Sequence, residues 1–168
     1  MSVPAPEELT HIVHGFAPVY DSRSRVLVLG SLPSVKSREQ GFYYGHPRNR
    51  FWPLLAGLFD EPVPFTIEDR RALLLRRGIA LWDVVRECDI RLSSDSSIRN
   101  PEPNDLTPIL AAASIRAIYA NGGKAKELYD RLILPRTGIE AIQLPSTSPA
   151  NAAWSLERLA EHWAVLRE

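Results

Sequence analysis

The chain has 168 residues, 45% apolar and 24% charged, the composition of one ordinary globular domain with enough chain to bury a sizeable core. No apolar run approaches the ~20 residues of a membrane span, residues 1–11 lack a basic-then-apolar leader, and the single cysteine, Cys88, excludes an internal disulfide and a Cys-ligated iron–sulfur cluster. Twenty basic residues balance twenty acidic ones, so net charge gives no sign of a nucleic-acid partner; residues 23–52, however, hold Arg23, Arg25, Lys36, Arg38, Arg48 and Arg50 against Glu39 alone, enough to grip a few phosphates or simply to make a solvated loop.

Residues 1–24 read as an N-terminal extension or helix packing on a single domain, 1–168. Short apolar runs then predict strands at 25–30 (RVLVLG), 79–85 (IALWDVV), 115–120 (IRAIYA) and 140–144 (EAIQL). Helical patterns fall between them at 49–59, 67–77, 104–113 and 124–132. A last helix over 155–166 carries Leu156, Leu159, Trp163 and Leu166 at helical spacing. Strands alternating with helices imply an α/β fold, a three-layer α/β/α sandwich around a mostly parallel four-stranded sheet. Working loops in such folds follow the strands, here 30–52, 86–103, 121–124 and 145–153. The first is long, and long loops in compact domains usually carry function.

Several chemistries lack their motif. There is no GxxxxGK[ST] for nucleotide phosphates, no GxGxxG for dinucleotides, and no GxSxG nucleophile elbow. The histidines His11, His14, His46 and His162 show no ligand spacing with acids or with Cys88, so no metal and no cofactor are expected. Asn121-Gly122-Gly123-Lys124 offers backbone amides and a helix start to a phosphate, or is an ordinary turn.

The first loop carries a resemblance. Gly30-Ser31-Leu32-Pro33-Ser34 is followed, thirteen residues after the proline, by His46-Pro47-Arg48-Asn49-Arg50-Phe51-Trp52. This resembles the mismatch-specific uracil/thymine-DNA glycosylases, with their Gly-x-Asn-Pro-Gly motif and later His-Pro-x-Asn-Arg-Phe-Trp segment. Leu144-Pro145-Ser146-Thr147-Ser148-Pro149 looks like their second motif. The wording GFYYGHPRNRFW…LPSTSPAN is closer still to the hypoxanthine-DNA glycosylase (DNA-deoxyinosine glycosylase, family 6) branch of the uracil-DNA glycosylase superfamily. The resemblance spans residues 26–166. It departs at Leu32, where the mismatch-specific enzymes hold a water-positioning asparagine; an aliphatic side chain holds no water.

The resemblance implies a monofunctional DNA glycosylase, a monomer acting on double-stranded DNA with a deaminated base, most simply hypoxanthine. The setting would be the cytoplasm, on the nucleoid when at work. The target nucleotide must leave the stack before its glycosidic bond can be reached. Asn49 is the expected catalytic group, since a carboxamide can donate to a base carbonyl and accept from a water; without the resemblance it reads as a helix-start residue. His46 would assist the leaving base or fix the loop. Gly30, Ser31, Leu32, Pro33 and Tyr44 would surround the base, with Tyr44 stacking on it. Ser34, Lys36, Arg38, Arg48 and Lys124 would meet the DNA backbone. Ser146, Thr147, Ser148, Pro149 and Ala150 would fill the vacated stack or form a rigid connector. Asp83 could stabilise the sugar cation or cap a helix, and residues 95–98 could contact DNA. The competing readings are a uracil or thymine mismatch enzyme, a non-catalytic nucleic-acid-binding domain on the same fold, and a nucleotide hydrolase.

Overall fold

A strand covered on both faces needs apolar side chains at every position, and VLVLG meets that demand. In a computed structural model that describes residues 9–91 and 98–168, β2 (Val26–Gly30) is buried throughout. It pairs in parallel with β3 (Ile79–Asp83) on one side and β6 (Ala117–Asn121) on the other, and β7 (Ala141–Leu144) extends the sheet beyond β6. The order is β3-β2-β6-β7.

Successive strand residues face opposite sides, and two cores result. Val26, Val28, Ile79 and Leu81 pack with Leu54, Leu73 and Leu159 of α2 (Phe51–Leu58), α3 (Ile67–Arg76) and α7 (Leu156–Trp163). Leu27, Leu29, Ala80 and Ile118 pack with Ile109 and Leu128 of α4 (Thr107–Ala112) and α5 (Gly123–Leu132). The helix starts are chemically marked: Thr66 accepts from the Asp69 amide and Ser155 from the Arg158 amide, each satisfying an amide that has no partner within the helix. Short helices α1 (Val35–Gln40) and α6 (Leu134–Thr137) and a 3-10 turn over Ala164–Arg167 complete the chain. Among the described residues no helix is long and apolar enough to cross a membrane.

Several expectations are corrected. The predicted strand over 79–85 breaks at Val84, whose amide bonds to the Gly30 carbonyl. The chain then leaves the parallel sheet as β4 (Val85–Ile90), the middle of a separate antiparallel sheet between β1 (Thr10–Val13) and β5 (Arg99–Pro103). The described part of the N-terminal extension therefore contributes a strand, not a helix, and the described part of the working loop placed at 86–103 is largely sheet. Pro101 and Pro103 argue against a strand in sequence, because proline cannot donate to a ladder; at the edge of a sheet it is tolerated. Of the DNA contact placed at 95–98, residues 95–97 lie outside the described residues, and Ile98 is buried in the second core, not at a DNA surface.

Candidate active site

When a parallel sheet winds first one way and then the other, a crevice opens outside the carboxyl ends of the two strands where the direction changes. Here those strands are β2 and β6, ending at Gly30 and Asn121. A cleft of about 450 Å³ lies there, and Ser31, Leu32, Pro33, Ser34, Tyr44 and Asn49 contribute to its wall. The predicted first loop thus closes over the predicted strand end.

The floor depends on a missing side chain. Gly30 and Asp83 are register partners at the ends of β2 and β3, and a Cβ on Gly30 would sit 2.4 Å from Asp83 Oδ1 and 3.1 Å from the Tyr44 hydroxyl. Any larger residue would collide with polar atoms that the cleft uses. Asp83 is 3% exposed. Its Oδ2 accepts from His14 Nε2 at 2.8 Å, and Asn104 Nδ2 donates to its backbone carbonyl at 2.8 Å. Beside it, burial first and the Asp83 charge second push the Tyr43 hydroxyl far above its ordinary range, so it serves only as a neutral donor, to the Ala17 carbonyl at 2.9 Å.

Tyr44 adopts a left-handed backbone, φ 51°, uncommon for a large residue and typical of functional turns. Its ring stacks on Phe51 with centroids 4.2 Å apart, which covers one face. Its hydroxyl accepts from Asn121 Nδ2 at 3.1 Å, and the same nitrogen donates to Thr147 Oγ1 at 3.0 Å. Asn121 Oδ1 accepts from the Thr147 amide at 3.1 Å. One carboxamide at the end of β6 therefore ties the first loop to the second. Thr147, expected at the DNA surface, is fully buried, because both its amide and its hydroxyl are engaged with Asn121; it shapes the cleft wall from inside.

Asn49 lines the cleft and starts α2 as well. Its Oδ1 accepts from the Phe51 amide at 2.9 Å, which orients the carboxamide and leaves Nδ2, without a partner among the described residues, as the donor for the cleft. Asn49 thus stands both at the start of α2 and in the cleft wall. His46 is not in the cleft wall. Its Nδ1 accepts from the Arg48 amide at 3.0 Å, a contact that braces the turn. Ser34 caps α1, accepting from the Ser37 amide at 3.1 Å, and Ser37 Oγ accepts from the Gly45 amide at 2.9 Å; short-range hydrogen bonds hold the first loop.

The basic residues of this region divide. Arg48 is exposed, and Lys36 stands on α1, 3.6 Å from Glu39. Arg38 lies beside the N-terminal strand, in a separate hollow with Ile12 and Phe16, away from the cleft. Arg50, counted in the sequence only as charge, is the clamp of the second loop: its guanidinium donates to the carbonyls of Ser148 at 2.9 Å, Asn151 at 3.0 Å and Trp154, and its amide donates to the Thr147 carbonyl at 3.1 Å. The segment 146–150 forms a ridge. The cleft lies on one side, and on the other lies a groove of about 590 Å³ that includes Lys124, Pro145 and Trp154. Ser146, Ser148 and Ala150 face both hollows, and Pro149 is half-buried between them. His14, Asn121 and Arg50 are the residues sequence reasoning missed. For Arg50 a signal existed, its place within the His46–Trp52 run; for His14, far away in sequence, there was none.

The family model of the uracil DNA glycosylase superfamily matches residues 17–168. The chain belongs to that superfamily. It is therefore a DNA glycosylase, a hydrolase of N-glycosyl bonds with DNA as substrate. Two archaeal proteins named hypoxanthine DNA glycosylase resemble it: one from Methanosarcina acetivorans, 37% identical over 93% of this chain and 99% of its own length, and one from Methanosarcina barkeri, 36% identical over 89% and 94%. A solution NMR structure of a Methanosarcina acetivorans protein, provisionally named a uracil DNA glycosylase, superposes with a TM-score of 0.77 at 37% identity, over 91% of this chain and 95% of that one.

Proposed function

We propose that this glycosylase removes hypoxanthine from double-stranded DNA as a monofunctional, cofactor-free hydrolase, working as a cytoplasmic monomer on nucleoid DNA. One observation carries the reading: Asn49, in a cleft at the switch point, has its oxygen engaged with the Phe51 amide and its Nδ2 left for a ligand. A fixed donor there suits a base carbonyl such as O6 of hypoxanthine, and the curated relatives of nearly equal length bear that substrate in their names.

In this reading the target nucleotide leaves the stack, at a cost of a few kcal/mol, and its base enters the cleft against Tyr44. The ridge at 146–150 enters the vacated space, held rigid by Arg50 and Asn121. Negative charge builds on the purine as its bond to C1′ stretches, and Asn49 Nδ2 donates to O6 where that charge is partly delocalised. Water attacks C1′: the hydroxyl stays on the sugar, the C1′–N9 electron pair leaves with the base, and the proton released by water neutralises it. His46 braces the turn that aims Asn49. Ser34, Lys36, Arg48 and Lys124 flank the cleft for the phosphates, and Arg38, set apart beside the N-terminal strand, contributes to the field of the loop.

The test uses labelled duplexes with a single deoxyinosine, a uracil opposite guanine or a thymine opposite guanine, treated with alkali after incubation. Cleavage at deoxyinosine that is unaffected by EDTA is expected. Cleavage only at uracil or thymine would make this a mismatch enzyme, and no cleavage of any duplex would overturn the hydrolase reading.

A further inference from the structure

The basic run of residues 23–52 does not all reach the cleft. Arg23 and Arg25 lie at the opposite end of the parallel sheet, where its strands begin. The Arg25 amide donates to the Gly78 carbonyl at 2.7 Å, and the Arg25 carbonyl accepts from the Arg116 amide at 2.9 Å, so the residues that enter β2, β3 and β6 are fastened side by side. Arg76, Arg77 and Arg167 join them around two hollows of about 610 and 490 Å³, which share Arg25, Arg76 and Arg77. The acids here are fewer. Glu61 is held by Arg76 and Arg77, and Asp21, Asp60 and Glu168 line the hollows. Arg25 is half-buried and commits its guanidinium to the main-chain oxygens of Arg77, Leu166 and Glu168; burial first and the charge of Arg116 second push its pKa below the ordinary arginine range. Arg23, Arg116 and Arg167 are exposed, and no acid pairs with their guanidiniums among the described residues. Like charges fastened together cost free energy that a bound anion relieves.

We infer that this arginine face is a second DNA-binding surface, which takes the phosphates of a duplex segment other than the one in the cleft. Every base on it is arginine, whose planar fork matches phosphate oxygens. A protein partner would need an apolar anchor at the centre of the contact; here Leu58 is buried, and the Phe59 ring lies under the Arg77 guanidinium at 5.2 Å. DNA is the polyanion on which the chain's family acts. One straight duplex cannot serve both surfaces. They lie at opposite ends of β2, whose five residues alone separate them by roughly 16 Å at the rise of an extended strand. An enzyme with two such faces takes hold of a new segment before it releases the old one, and so moves through DNA by direct transfer as well as by dissociation. The inference concerns how the enzyme travels, and it stands or falls independently of which base the cleft excises.

The test uses short undamaged duplexes, some carrying a donor dye and some an acceptor. At low salt the wild type should bring two duplexes onto one protein, read as energy transfer together with a sedimenting mass of one protein and two duplexes. Arg116→Ala combined with Arg167→Ala should weaken the second duplex about 10-fold or more and lower its salt slope by about two. Affinity for the first duplex, and single-turnover excision from a short substrate, should stay at the wild-type level. Arg116→Lys combined with Arg167→Lys keeps the charge and should hold the second duplex, and thermal melts check folding. Release of a labelled duplex should accelerate with the concentration of unlabelled duplex in the wild type and should not depend on it in the alanine variant. A wild type that never holds two duplexes would overturn the inference, as would an alanine variant that holds the second as tightly as the wild type does. A sedimenting mass with two proteins would make the bridge a dimer and overturn it as well. So would a polyglutamate peptide that binds this face more tightly than a duplex of equal charge, which would assign the face to an acidic protein.

Discussion

The two loops that meet at the cleft are held in different ways. The first, over 31–50, is tied largely to itself: Ser34 to Ser37, Ser37 to Gly45, His46 to Arg48, Asn49 to Phe51. The second, over 145–154, has short internal contacts such as Ser146 to Ser148, but its position is imposed from a distance, by Asn121 26 residues before Thr147, by Arg50 about a hundred residues before its acceptors, and by Trp163, whose indole donates to the Pro145 carbonyl. A self-tied loop can carry its geometry in a motif. A loop held by others depends on the whole fold, and a change in the first loop can disable the second.

The sharpest way to separate the loops is Asn49→Ala. Excision should fall by ~10²-fold or more, the scale seen when a preorganised donor leaves a transition state, and stability should fall by about 1 kcal/mol for the lost bond to the Phe51 amide. Asn49→Ser, which keeps a capping oxygen, should recover the stability and not the excision. Single-turnover kinetics with thermal melts read both; full activity in either variant would move the chemistry elsewhere.

Breaking the second loop from the first comes next. Arg50→Met removes the clamp and leaves three carbonyls to find water, an expected loss of roughly 2 kcal/mol or more. Hydrogen exchange should accelerate across 148–154 and leave 34–45 unchanged. Acceleration in both would mean that the loops form one unit.

Leu32→Asn probes the first loop without touching its ties. Leu32 packs against the second core while facing the cleft, so the variant should lose some stability and gain a water-holding amide. Uracil excision should rise relative to hypoxanthine excision, in kcat as well as kcat/KM, as for an interaction made only in the transition state. An unchanged ratio in a folded variant would leave pocket shape as the determinant.

The smallest effects belong to the outer charges. Lys36→Ala and Arg48→Ala should each weaken binding to all sequences alike and lower the slope of log affinity against log salt by about one. Lys36 should show less of this than Arg48, since Glu39 lies close to it; a slope unchanged from the wild type in both would turn this face of the first loop away from DNA.

The sequence by itself determined the parallel sheet, most of its helices and the first loop, because these rest on short-range signals: the unbroken apolar run of β2, the helical spacing in α7, and a His46–Trp52 segment whose hydrogen bonds close within a few residues. Only the tertiary structure decided the rest. The antiparallel sheet of β1, β4 and β5 joins segments about eighty residues apart, and β5 carries two prolines, so no local pattern marks it. Thr147 reads as a surface hydroxyl until Asn121 is found beside it, and Arg50 reads as charge until its carbonyls are placed. His14 and Asp83, 69 residues apart, meet because the chain leaves the parallel sheet at Val84 and pairs β4 with the N-terminal strand. Side chains that meet only through folding leave no spacing to recognise, since their geometry is set by packing between elements and not by the path of the chain.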